Sequence, residues 1–373
     1  MAVKHLAGER LIGTAAERAA LTTSASGIAQ TSWKLLARDK LTSAGDVLDT
    51  ANDSSFSGNN FAPKDNLMIL IIGYKSGNAQ IEDMTFNGDT DDNYSARYSE
   101  NGGDDAQHTQ DSIQFGIDSE DDEFAVIQVK NLADEVKLLA GSTSVRGATG
   151  NNAIGNRLQV AGKWVSDPLS QRITRVTITN APHTGDLDTD SEIIVLGCDD
   201  DETATTGASA SPTHTDTNFW QELATADVTG DNHTVSIAAK KYLMISTAVV
   251  TTGGTVSQRM TFNDTASGGY AQRKSFDGAT DDTSLQSANI DGVNDDLVTN
   301  SIGFATYYGV NVTNKEKLFV ARSNSAEAVG TAPTRDEVTF KWTSSAQIIK
   351  IDFDNNKTGD WAAGSNIRVW GSD

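Results

Sequence analysis

The hydrophobic and polar positions of this chain follow the spacing of strands rather than of helices. Apolar runs of strand length occur at Leu67–Ile72 and Leu243–Val250, and such runs are typical of central strands buried on both faces. Ile173–Ile178 and Ile349–Phe353 largely alternate with a period of two, which predicts one buried and one solvated face. Turns rich in Gly, Asn and Asp separate these runs. The pattern predicts antiparallel β-sandwiches of jelly-roll type.

The same pattern occurs twice along the chain, in the same order and at nearly constant spacing. The first copy runs from about Trp33 to Gly197 and the second from about Trp220 to Gly371. The matched segments are Met84-Thr-Phe-Asn and Met260-Thr-Phe-Asn, Tyr94-x-x-Arg97 and Tyr270-x-x-Arg273, Lys137-Leu-Leu and Lys317-Leu-Phe, Lys163-Trp164 and Lys341-Trp342, and Ser191-x-Ile-x-Val-x-Gly197 and Ser365-x-Ile-x-Val-x-Gly371. These segments are core and turn positions, and they share no catalytic set of residues. The repeat therefore indicates one module and a diverged copy.

The sequence predicts an all-β protein of two tandem sandwiches with a short N-terminal arm. The arm comprises residues 1–30, which belong to neither copy and whose thin apolar face predicts one short helix, mobile until it docks on a partner. The sandwiches are placed at residues 31–198 and 218–373. Residues 199–217 are acidic and then rich in Ser and Thr, so we expect a linker that joins the sandwiches semi-flexibly. Whether the two sandwiches touch each other is not readable from the sequence.

Charge narrows the range of partners. The 373 residues include 29 Lys and Arg against 51 Asp and Glu, a formal net charge of −22. Such a surface repels phosphate backbones and anionic membranes, so neither nucleic-acid binding nor membrane insertion is expected. No apolar run is long enough for a transmembrane helix, and the N-terminus lacks the apolar core of a secretory signal. We therefore expect synthesis in the cytoplasm.

Candidate enzymatic chemistry is sparse in this sequence. Cys198 is the single cysteine, so no disulfide forms within one chain. The five histidines do not occur at zinc-binding spacing, and there is no G-x-S-x-G elbow or G-x-G-x-x-G loop. The sequence predicts a protein that is not an enzyme and that requires no cofactor.

One acidic segment is a candidate calcium site. Its alternating carboxylates are Asp186, Asp188, Asp190 and Glu192. Calcium prefers six to eight oxygen ligands, and carboxylates spaced in this way can converge on one ion. However, Gly197 stands where a calcium loop has its final Glu, and the second copy keeps only the first acid, Asp360. Two interpretations stay open, a calcium site private to the first copy and an exposed acidic turn.

Two repeated Tyr and Arg pairs are candidate glycan-binding residues. They are Tyr94 with Arg97 and Tyr270 with Arg273. If the side chains face solvent, the Tyr ring could stack on a sugar and the Arg could donate to its hydroxyls. Alternatively, the Tyr packs in the core and the Arg caps a turn or pairs with an acid.

The order of the matched segments resembles a β-sandwich module of virion proteins in marine tailed phages. The opening Gly8-Glu-Arg-Leu-Ile-Gly-Thr-Ala-Ala-Glu-Arg-Ala-Ala-Leu21 resembles the N-terminal segment that often precedes such modules. Together these segments cover nearly the whole chain. The resemblance implies jelly-roll or lectin-like sandwiches on a particle surface, and it carries over no catalytic residue.

These observations lead to one functional expectation and two alternatives. We expect a structural protein of a virus particle, a surface component that decorates the capsid or associates with the tail or a fibre. Residues 1–30 would attach it to other virion proteins, and it would assemble with itself into symmetric oligomers. The alternatives are a glycan-binding module for host or cell-surface attachment and a subunit of an extracellular filament.

Overall fold

The computed structural model describes most of the two predicted sandwiches. The described residues are 33–53, 60–76, 83–116, 121–180, 184–200, 218–265, 267–291, 293–326 and 332–373. The predicted arm at residues 1–30 and most of the predicted linker lie outside them. Within the described residues there are strands, one short 3-10 turn at Thr50–Asn52 and no α-helix, and therefore no helix that could cross a membrane. The all-β prediction is confirmed.

Domain 1, residues 33–200, consists of one large and one small antiparallel sheet. Its strands are β1 (Lys34–Lys40), β2 (Val47–Asp49), β3 (Asn66–Gly73), β4 (Lys75–Ser76), β5 (Asp83–Phe86), β6 (Tyr94–Glu100), β7 (Ala106–Gln110), β8 (Ile113–Gln114), β9 (Glu123–Lys130), β10 (Lys137–Val145), β11 (Arg157–Trp164), β12 (Val176–Thr179), β13 (Asp186–Leu187) and β14 (Glu192–Cys198). The large sheet has the order β1-β14-β3-β9-β10-β11-β6-β7 and the small sheet β2-β12-β5-β8, while β13 pairs with β4.

Domain 2, residues 218–373, repeats this arrangement. Its strands are β15 (Gln221–Gly230), β16 (Asn232–Ser236), β17 (Tyr242–Thr252), β18 (Gln258–Phe262), β19 (Tyr270–Phe276), β20 (Asp282–Ser287), β21 (Ile302–Val310), β22 (Lys317–Ala326), β23 (Thr334–Trp342), β24 (Lys350–Asn355) and β25 (Asp360–Ser372). The large sheet has the order β15-β25-β17-β21-β22-β23-β19-β20, and the small sheet has the order β16-β24-β18.

The strand registers match residue by residue between the domains. Lys137 lies opposite Trp164 in domain 1, and Lys317 lies opposite Trp342 in domain 2. Each Trp also faces the Tyr of its own Tyr-x-x-Arg segment across the next ladder. The structure therefore confirms two tandem sandwiches built on one repeated plan.

Each large sheet buries its inner face against the small sheet of its own domain. In β3, the odd-numbered Leu67, Ile69 and Ile71 point into this core, because side chains alternate between the two faces of a strand. The even-numbered Met68 and Leu70 are equally buried, but they belong to a different cluster on the outer face. The apolar run in β3 is thus buried on both faces, as its composition predicts.

Asp336 in β23 is a buried carboxylate that we expect to make the stability of domain 2 depend on pH. Its buried carboxylate accepts hydrogen bonds from Ser323 Oγ at 2.6 Å and Asn294 N at 3.2 Å. Burial raises the pKa of Asp336 to about 6, and the nearby Asp295 and Asp277 act in the same direction. Because the unfolded value is near 3.9, the proton bound in the folded state stabilises the fold fully below about pH 4. This contribution is lost as the pH rises through 6.

We expect the substitution Asp336→Asn to remove this dependence. Relative to the variant, the wild-type chain should lose on the order of 2 kcal/mol of unfolding free energy between about pH 4 and about pH 7.5. Urea unfolding of both proteins at the two pH values measures the difference. An offset between them that stays constant with pH would show that Asp336 does not titrate in this range.

Candidate functional site

The two tyrosines of the candidate glycan pairs are core residues. Tyr94 and Tyr270 are both fully buried. The Tyr94 hydroxyl accepts from Phe86 N at 2.9 Å and donates to Asp89 O at 3.0 Å. The Tyr270 hydroxyl accepts from Phe262 N at 2.7 Å. Burial also raises the pKa of both phenols. Because both rings are enclosed, neither offers a platform for a sugar, and their positions fit the alternative in which the Tyr packs in the core.

The arginines of the same pairs have different surroundings. Arg97 is exposed and forms an ion pair with Asp105 at 3.4 Å. Arg273 is largely buried, lies 3.8 Å from Asp281 and donates from Nε to Gly155 O of domain 1 at 3.2 Å. Burial lowers the pKa of Arg273. Arg97 is therefore an exposed residue paired within its own domain, whereas Arg273 is engaged between the domains.

The four carboxylates of the candidate calcium segment do not converge. Asp186 and Asp188 are exposed, whereas Asp190 pairs with Lys40 at 2.6 Å, which lowers the pKa of Asp190. Glu192 is completely buried and pairs with Arg38 and Lys241. Within the described residues, no group of three or more His, Cys, Asp or Glu side chains is placed to hold a metal ion. The geometry thus favours the acidic turn over the calcium site.

The outer faces of the two large sheets pack against each other and bury a third apolar core. Domain 1 contributes Met68, Leu70, Ile72, Phe124, Val126 and Leu196, among others, and domain 2 contributes Tyr242, Met244, Tyr308, Leu318, Val320 and Trp370. The molecule therefore stacks small, large, large and small sheets in four layers. The sequence leaves open whether the sandwiches touch, and the structure shows them in contact through an apolar interface. Residues 201–217 of the predicted semi-flexible linker lie outside the described residues.

A buried arginine carries positive charge across this interface. The Arg157 side chain of domain 1 is only 3% exposed, and its Nη2 lies 2.5 Å from Asp281 Oδ1 of domain 2. Its Nη1 lies 3.1 Å from Glu337 Oε2. Arg322 of domain 2 donates in the opposite direction, to Ser142 Oγ at 2.6 Å. These charge-assisted hydrogen bonds fix the relative position of the domains.

Glu192, one of the candidate calcium ligands, belongs to the same interface. It forms ion pairs with Arg38 of its own domain and Lys241 of domain 2. The Tyr242 hydroxyl donates to its Oε2 at 2.6 Å. Burial and the neighbouring Glu192 carboxylate raise the pKa of Tyr242 well above its usual value. The buried carboxylate is thus matched by two cations and a phenol, as a buried charge requires.

The β10–β11 connection of domain 1 covers one end of the large sheet of domain 2. Lys341 Nζ donates to Ala148 O at 2.6 Å, and Gly150 N donates to Glu316 Oε1 at 2.7 Å. At Gly155 the chain returns so closely that a Cβ would lie 1.4 Å from Val145 O. Only glycine fits there, so this glycine fixes the path of the covering segment.

The matching end of the domain 1 sheet is uncovered. It forms a wide groove of about 540 Å³ on strands β6, β7, β10 and β11. We call it the open face, and the side chains that define it are Ser95, Arg97, Gln107, Thr109, Leu138 and Lys163. Leu138 is 58% exposed, the largest value among the exposed large hydrophobic residues of the described chain. Across the sheet, Lys163 on β11 lies between Leu138 on β10 and Arg97 on β6.

Comparisons with known proteins do not indicate a family or a function for this chain. No family model matches the chain, and no curated protein matches it. Among solved structures, an outer membrane channel from Pseudomonas putida F1 is 13% identical over 77% of this chain and 98% of that chain, with a TM-score of 0.12. The outer membrane protease OmpT from Escherichia coli is 8% identical over 86% of this chain and 100% of that chain, with a TM-score of 0.11. These likenesses are too weak to carry an argument.

Proposed function

We propose that this chain is a non-enzymatic structural protein of a virus particle. It is a surface component that decorates the capsid or associates with the tail or a fibre. It attaches through residues 1–30 to other virion proteins and assembles with itself into symmetric oligomers. The phage resemblance of the sequence supports the location, and the four-layer architecture supports the structural role.

The interface between the domains is the observation that carries this proposal. The buried Arg157 of domain 1 pairs with carboxylates of domain 2. The buried Glu192 of domain 1 pairs with one cation from each domain. Both residues therefore hold the sandwiches in one position. A chain whose strongest polar contacts fix its own shape is suited to bear load or occupy a lattice position. Binding modules, by contrast, usually carry a concave site with convergent polar groups.

The open face keeps the glycan-binding alternative under consideration. Arg97 and Lys163 are exposed there beside the polar Gln107 and Thr109, so hydrogen bonds to sugar hydroxyls are chemically available. The buried Tyr94 cannot supply the stacking ring. Among the described residues that line this groove, the only ring is the half-buried imidazole of His108, which packs edge-on against Tyr98. The face is therefore better suited to a protein surface than to a sugar.

We expect that removal of residues 1–30 abolishes incorporation into particles and leaves both sandwiches folded. The described residues from Trp33 onward form two domain cores and the interface between them, so we expect the truncated chain to unfold at the same temperature as the full chain. Mass spectrometry of particles assembled with either chain measures incorporation. Normal incorporation of the truncated chain would contradict attachment through the arm.

A further inference from the structure

We propose that a cleft between the two domains binds a carboxylate-bearing sugar residue. The cleft has a volume of about 240 Å³. Strands β9 and β10 of domain 1 form one wall, and β21 and β22 of domain 2 form the other. Ligand sites occur preferentially at domain interfaces, and a volume below the roughly 300 Å³ of drug-sized pockets suits a ligand as small as one sugar residue. This site goes beyond the structural role proposed above and does not depend on it.

Arg322 supplies the positive charge of this cleft. Its Nη2 donates to Ser142 Oγ at 2.6 Å and to Gly141 O at 3.1 Å in the opposite wall. These two bonds hold the guanidinium in place, and its Nε and Nη1 make no hydrogen bond or ion pair with any described residue. Arg322 is nevertheless exposed to solvent along the cleft. A fixed, accessible guanidinium without a carboxylate partner is suited to bind the carboxylate of a ligand.

The surroundings of Arg322 explain why no acid of the chain neutralises it. Burial lowers the pKa of Arg322, because the two walls of the cleft disfavour its charged form. The Glu337 carboxylate acts in the opposite direction, but it already pairs with Arg157 at 3.1 Å and with Arg335 at 3.7 Å. The Arg322 charge is therefore a local excess, although the whole chain carries −22. Charges farther away than about 8 Å are largely screened at physiological ionic strength, so this local excess favours an anionic group in the cleft.

The other side chains of the cleft suit a sugar ring. Phe304 is partly exposed there, and its ring can stack on a sugar. Phe124 occupies the matching position of domain 1 and is 1% exposed, in the core between the domains. Gln128, Thr306 and Asn324 line the same cleft and can exchange hydrogen bonds with ring hydroxyls. A purely apolar carboxylate would displace water from these groups without replacing its hydrogen bonds, which favours a sugar as the occupant.

Titration of the full-length chain with D-glucuronate, followed by saturation-transfer NMR, tests the site. D-glucose is the matched neutral sugar, and benzoate is a carboxylate without hydroxyl groups. Arg322→Gln removes the charge, and Phe304→Ala removes the ring. Arg335→Gln and Ile302→Ala are the matched controls, because Arg335 is 53% exposed and Ile302 is 54% exposed, and neither lines the cleft. Thermal unfolding shows which variants are folded, and if Arg322→Gln is not, Phe304→Ala and the comparison of the three ligands decide.

We expect the chain to bind glucuronate more tightly than glucose or benzoate. Arg322→Gln should weaken glucuronate binding about tenfold, the scale of a lost hydrogen bond to a charged group. Phe304→Ala should weaken the binding of both sugars, whereas the two controls should keep the wild-type affinity. Glucose binding as tight as glucuronate binding would overturn the carboxylate, and benzoate binding as tight would overturn the sugar. No detectable binding of glucuronate, or binding that both cleft variants retain, would overturn the site and leave the structural role intact.

Discussion

Replacing Arg157 with Met should lower the free energy of unfolding by about 3–5 kcal/mol, the cost typical of breaking a buried ion pair by removing one partner. Arg157 neutralises Asp281 and Glu337, whose side chains are 1% and 10% exposed. The variant leaves Asp281 with Arg273 at 3.8 Å and Glu337 with the half-exposed Arg335 at 3.7 Å. Urea unfolding followed by tryptophan fluorescence measures the loss.

Two further variants show whether the loss comes from burial of the charges. Arg97→Met removes an arginine paired at 3.4 Å with Asp105, where both side chains are about half exposed. Its cost should stay below about 1 kcal/mol, as for other surface pairs. Combining Arg157→Met with Asp281→Asn and Glu337→Gln should restore much of the stability, because the two carboxylates left without Arg157 are then neutral, while Arg273 keeps its hydrogen bond to Gly155 O. Equal costs for the two single arginine variants would show that the interface pairs contribute little.

The sequence predicts most of the fold because strand periodicity and the repeat are local signals. β24 begins at Lys350 within the predicted Ile349–Phe353 strand. The predicted strand at Ile173–Ile178 is only partly realised, since β12 begins at Val176. Ahead of it, Ile173 N donates to the side chain of Asn131 at 2.7 Å rather than to a neighbouring strand. The alternation of apolar residues does not show where an asparagine side chain replaces a neighbouring strand as the hydrogen-bond acceptor, so the start of this strand could not be predicted from it.

The interface was less accessible to sequence reasoning, although one signal for it is present. A strand in a two-layer antiparallel sandwich needs only one apolar face. A two-layer sandwich does not require the outward-facing Met68, Leu70 and Ile72 in β3 to be apolar. Their apolar character therefore indicates that another sheet or protein surface packs on this face. Which surface provides that layer cannot be predicted, because partners such as Arg157 and Asp281 are distant in sequence and belong to no motif.

The candidate calcium segment shows that residue spacing alone does not predict which side chains come together. Alternating residues share one face only while the chain stays in a single strand. Here β13 ends at Leu187 and β14 begins at Glu192, with a turn between them in which Asp190 adopts a positive φ of 73°. The turn separates the carboxylates, and Glu192 enters the large sheet facing domain 2. Spacing alone therefore predicted an alternation that the backbone does not preserve.

A loss of solubility is the second large effect that we expect, and it should appear when the two domains are produced as separate chains. Residues 33–200 and 218–373 each keep an inner core, but each alone would expose the outer face of its large sheet. On domain 1 this face includes Met68, Leu70, Phe124 and Val126, an apolar patch of the kind that drives association in water. We expect each half to aggregate or bind a hydrophobic dye when expressed alone.

Co-expression should rescue both halves as a soluble one-to-one complex, because the outer faces then cover each other and Arg157 regains Asp281 and Glu337. Adding Arg157→Met to the domain 1 half should weaken that complex, while Arg97→Met should leave it unchanged. Size-exclusion chromatography with light scattering measures both results. Two soluble halves without affinity for each other would instead favour independent sandwiches joined by a semi-flexible linker. The rigid four-layer block, on which the structural role depends, would then be wrong.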